Sequence, residues 1–212
     1  MASEAFKHPN GSLYCELMEQ LKWRVDAVQK TMHLAKARRH YLPDGLAFEF
    51  CLLQLRYCCE NIALGLVAIH TDVSKGKLRQ QWNAELILKT FEQLKPEYFP
   101  KSIKSERQAN GTFLHVEVRG GLTKDELVKA YSRMGDLLHS GNFNQLKAAQ
   151  RQRVADFEMI NSFISKLIVL LNDHTYLLDD GETMIRVLMQ NVEDGRVWIN
   201  VLKRGSSPLP SM

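Results

Sequence analysis

One stretch limits the fold more than any other. Residues 46–70 read LAFEFCLLQLRYCCENIALGLVAIH, apolar on nearly every side of a helix. Such a helix has no face to give to water, so it belongs at the centre of a bundle with other helices around it. A membrane span is the competing use of an apolar helix. The longest charge-free run here, NIALGLVAIH at 61–70, is about half the length a span requires. The expectation is therefore a buried core helix and no membrane partner.

The helices that cover it are readable on both sides. In residues 12–41, Tyr14, Met18, Leu21, Val25, Val28, Met32 and Ala35 alternate four and three apart. That is an a/d seam, which suits a bundle neighbour or a second subunit. Lys36, Arg38, Arg39 and His40 suit its C-terminus, and LPDG breaks it. Residues 74–96 form a third helix with Trp82, Leu86, Leu88 and Phe91 as core positions, closed by Pro96. Residues 96–111 read as a loop carrying Lys101, Lys104 and Arg107, and TFLHVEV at 112–118 as a short strand. A helix over 122–139 opens with Thr123 and Glu126, a capping box, and stops at Gly141. Another long helix spans 145–174. Two strand-like runs at 183–204 flank Asp194-Gly195, a hairpin signal.

The expected fold is mainly α: a bundle of about five helices with a small β appendage near the C-terminus. Residues 11–175 make the bundle, 176–204 a hairpin packed on it, 1–10 a flexible start and 205–212 a disordered tail. Composition agrees with one ordered domain. Of 212 residues, 45% are hydrophobic and 25% charged, enough apolar surface to offset chain entropy. The net charge of +4 permits nucleic-acid contact without demanding it. Cys15, Cys51, Cys58 and Cys59 show no zinc or disulfide spacing and read as small buried residues in a reducing cytoplasm. The N-terminus resembles neither a secretion nor a transit signal.

Chemistry-bearing motifs are few. There is no GxGxxG, Walker A loop, HExxH or GxSxG, and no two of the seven histidines stand four apart. No metal and no cofactor is expected. Glu49, Arg56 and Glu60, seven and four apart on the central helix, fall on one stripe. They suit either an internal ion network or support behind a site supplied by another helix. Arg133 and His139 lie six apart, on helix faces about 120° from each other. They come near one another only if the helix ends at His139 and a second element completes the site. Asp136, three residues from each, is placed to orient either one, and Asn142 sets the turn that aims His139. A histidine at a helix end also serves as a plain cap for the last carbonyls.

Four segments, LRYCCENIAL, W.AELILKTFEQLKPEYFPK, LTKDELVKAYSRMGDLLHSGNF and ISKLIVLLNDH, resemble a group of bacterial proteins within the HEPN-like helical families. The resemblance covers roughly residues 15–175. It implies a bundle of four or five helices that dimerises, and a metal-independent ribonuclease whose motif is an Arg, four to six residues, and a His. Here Arg133 and His139 enclose five residues. The resemblance implies that the pairs from two subunits meet at the dimer interface, with His139 as acid/base and Arg133 as phosphate clamp, in a toxin or defence role. It also implies a polar residue directly after the arginine; this chain departs from that with Met134. The alternative is a noncatalytic module that binds nucleotide, RNA or a protein partner through the first helix and the hairpin.

Overall fold

The computed structural model describes residues 8–37, 39, 42–71, 73–109, 113–139, 156–178 and 181–203. Among them are five α-helices: α1 (Gly11–Lys36), α2 (Asp44–Ile69), α3 (Ala84–Leu94), α4 (Lys124–Leu138) and α5 (Phe157–Leu171). Five strands, β1 (Lys101–Arg107), β2 (Phe113–Glu117), β3 (Asp173–Leu177), β4 (Thr183–Leu188) and β5 (Trp198–Lys203), form one antiparallel sheet in the order β2-β1-β3-β4-β5. The protein is mainly α with a small β appendage.

The apolar helix α2 is the core. Phe48, Cys51, Leu52, Leu55, Cys58, Cys59, Ile62 and Leu66 are all buried, on more than one face. By length and hydropathy α2 would pass for a membrane-crossing helix, yet its most apolar window is 61% buried inside the fold. Burial also pushes the thiols of Cys51 and Cys58 up to about 12. The α1 seam is spent on this core. Tyr14, Met18, Leu21, Val25 and Val28 are buried, and Asn61 Nδ2 donates to the Leu17 carbonyl at 3.1 Å. The upper part of the seam, Tyr14 to Val28, is therefore an intrachain contact with the core.

Three expectations are corrected. The loop expected at 96–111 contains β1, because two neighbours pair with it: Ser105 faces His115 on β2 and Ser102 faces His174 on β3. Strand identity here comes from those partners, not from local propensity. The helix expected to run through 174 ends at Leu171, and β3 begins at Asp173 with His174 and Tyr176 turned inward. The third helix starts only at Ala84, capped by the Asn83 side chain on the Leu86 amide at 3.1 Å. Its buried stripe is Ala84, Ile87, Leu88 and Phe91, so Trp82 precedes the helix and Leu86 points outward.

The sheet is tied to the bundle by a buried hydrogen-bond chain. His174 Nδ1 donates to the Leu171 carbonyl at 2.7 Å, which leaves Nε2 as acceptor from Tyr14 Oη at 2.7 Å. Tyr14 Oη in turn accepts from Tyr176 Oη at 2.9 Å. Burial holds His174 down at about 4, so the ring is neutral. The expected hairpin is β4–β5, and Gly195 takes φ +69° in its connection, a conformation open to glycine. The expected disordered tail and most of the flexible start lie outside the described residues.

Candidate functional site at the end of α4

Helix α4 begins as its sequence dictates. The Thr123 hydroxyl accepts from the Glu126 amide and the Glu126 carboxylate accepts from the Thr123 amide, the full capping box. Leu127, Tyr131 and Met134, at i, i+4 and i+7, are buried and face the bundle. That stripe fixes where every other α4 side chain points.

Arg133 is turned toward α5. It is 62% exposed, and its Nη2 lies 3.9 Å from the half-exposed carboxylate of Asp156, the N-cap of α5. A surface pair of this length adds little stability. With Lys129 and Lys166 it borders a groove of about 300 Å³ floored by Met134, Ile160 and Phe163. His139 is the C-cap. Its amide donates to the Gly135 carbonyl at 3.1 Å, but φ −80° and ψ 136° take the backbone out of helical register there. Ser132, Asp136 and His139 share a second stripe, and Ser132 Oγ donates to Glu85 at 3.3 Å on α3. Within one chain Arg133 thus faces the α5 side, and the stripe that leads to His139 meets α3 at Ser132. Asp136 is exposed, and Arg133 takes Asp156 as its partner instead. Ser140, Gly141, Asn142 and Phe143 lie outside the described residues.

Arg56 and Glu60 do a different job: they lock α2 to α4. Arg56 Nη1 donates to the Tyr131 carbonyl at 2.8 Å, and its guanidinium carbon lies 3.7 Å from the Tyr131 ring centroid. Glu60 accepts from Tyr131 Oη at 3.1 Å and lies 3.8 Å from Arg56 Nε. Burial beside Glu60 pushes the Tyr131 hydroxyl up to about 12. The approach is possible because residue 135 is glycine; a Cβ there would stand 2.7 Å from Arg56 Nη1. Glu49 is exposed and stands outside this network, since it lies about two turns earlier, past the described end of α4.

A second polar cluster was missed by sequence reasoning because it joins four strands. Arg186 holds Asp173 in a bidentate pair at 3.0 and 2.7 Å, and Ser105 Oγ touches Asp173 at 3.2 Å and His115 Nδ1 at 2.9 Å. It has the residue types of a hydrolytic triad in the wrong order. Serine stands between histidine and aspartate, and arginine already occupies the carboxylate, so Asp173 is not placed to orient His115 as a base for Ser105. Among the described residues no group of three or more His, Cys, Asp or Glu is placed to hold a metal.

Comparison with known proteins finds no matching family model, no matching curated protein and no matching solved structure.

Proposed function

We propose that the protein is an HEPN-like homodimer of the cytoplasm that binds RNA and cleaves it without a metal ion, with Arg133 of one copy beside His139 of the other. One observation carries this reading. Both side chains are exposed near the C-terminal end of α4, on helix faces about 120° apart, so that neither lies directly beside the other on its own helix. A twofold partner supplies the missing half. The imidazole takes the proton of the 2′-OH, the freed oxygen attacks the adjacent phosphorus, and the 5′-oxygen leaves with a proton. The guanidinium holds the phosphate oxygens as charge builds on them. The toxin or defence role implied by the resemblance belongs to this reading.

A second reading, RNA binding without cleavage, is favoured by Met134. It is 3% exposed and faces the core, so the position after the arginine brings no polar group to the surface. Incubating the purified protein with single-stranded RNA in EDTA tests both. The enzyme reading expects fragments ending in cyclic phosphate, lost in Arg133→Ala and His139→Ala with unchanged melting temperature. Binding without fragments assigns the second reading. Neither binding nor fragments refutes both.

A further inference from the structure

The segment before α3 carries an uncovered surface on the His139 side of α4. Trp82 is 63% exposed and Leu86, just over one turn on, 49%. Lys75, Lys77 and Arg79, earlier in the same segment, and Lys89, three residues after Leu86, are exposed, and so is the carboxylate of Asp136. Arg79 is held in place by its Nε, which donates to the Ser74 carbonyl at 2.6 Å. Lys89 pairs with Glu85 at 2.7 Å. The location follows from two contacts between α3 and α4. Glu85 meets Ser132, and Glu92 pairs with Lys124, so the helices run antiparallel. Going back along the chain from Glu85 to Trp82 therefore leads toward the last turn of α4, where the Ser132–Asp136 stripe reaches His139.

We propose that this surface is a stacking subsite for single-stranded RNA, with an unpaired base on the Trp82 indole and neighbouring phosphates on Lys75, Lys77 and Arg79. The inference rests on the RNA reading above and adds the face the strand crosses on its way to His139. An exposed indole is a platform that any base can use, and exposed cations along the same segment suit a polyanion. A duplex keeps its bases stacked inside, which makes the unpaired strand the matching substrate class.

The test measures binding of a short labelled oligouridine by fluorescence anisotropy, in a His139→Ala background so that the ligand stays intact. Trp82→Ala should weaken binding roughly 5- to 150-fold, the range of one lost base stack. Trp23→Ala, equally exposed but on α1, should leave it unchanged. Lys77→Ala should lower the slope of log affinity against log salt by about one. Unchanged affinity in Trp82→Ala overturns the subsite, and if Arg133→Ala still weakens binding, the RNA reading survives that failure. A Trp82→Ala protein that changes oligomeric state while keeping RNA affinity assigns the surface to a protein contact and also overturns the subsite. No RNA binding by the parent protein at low salt overturns both proposals.

Discussion

Replacing Gly135 with alanine probes the contact that holds α4 on the core. In an open helix this change favours folding by about 0.5–1 kcal/mol, because glycine loses the most backbone freedom. At position 135 the new Cβ would stand 2.7 Å from Arg56 Nη1, closer than carbon and nitrogen can sit. The guanidinium has no easy retreat, since it donates to the Tyr131 carbonyl at 2.8 Å and lies over the Tyr131 ring at 3.7 Å. Displacing it forfeits a charged hydrogen bond, about 1.5–3 kcal/mol, and a cation–π contact, about 0.5–2 kcal/mol. After the helix gain, the net loss is about 1–4 kcal/mol. Urea unfolding followed by circular dichroism measures it, with the slope unchanged. In an Arg56→Met background the obstacle is gone, and Gly135→Ala should then be neutral or stabilising, a coupling that a double-mutant cycle reads directly. Gly45→Ala, with nothing within 4 Å of its Cβ, is the control and should stabilise. A Gly135→Ala protein as stable as the parent would refute the lock.

Two further outcomes follow from the core. His174 is held at about 4 when folded and returns toward 6.5 when unfolded, so the unfolded chain takes up the proton first as pH falls. Stability should be complete above pH 6.5 and decline between 6.5 and 4 by up to about 3 kcal/mol, a decline that His174→Gln should lack; a parent urea midpoint that falls no more than the variant's across that window would contradict it. The thiols of Cys51, Cys58 and Cys59 are buried and raised, so a thiol reagent should reach them only on unfolding; stoichiometric labelling of all three in the native protein would show the core to be wrongly assigned.

What was legible in the sequence was local or periodic. The all-round apolarity of α2, the α1 seam and the Thr123–Glu126 box each contain their structural instruction within a few turns, and each is found where expected. What was not legible depended on distant partners. KSIKSER is a strand because β2 and β3 flank it, and the Ser105–His115–Asp173–Arg186 row exists only once four strands are aligned. Trp82 and Leu86 looked like core because both are large and apolar, but the Asn83 cap sets a helix start that turns them outward. Gly135 is itself a readable signal: a lone glycine inside a helical pattern marks a close approach, here by Arg56.

The claim that each site is built from two chains is tested most directly by mixing. Arg133→Ala and His139→Ala proteins, each inactive alone, are combined under conditions that exchange subunits, and RNA cleavage is measured. Half of the dimers formed are mixed and each mixed dimer carries one intact Arg133–His139 site of two, so about a quarter of the parent activity should return. No recovery on mixing, with exchange verified, would contradict a site shared between copies.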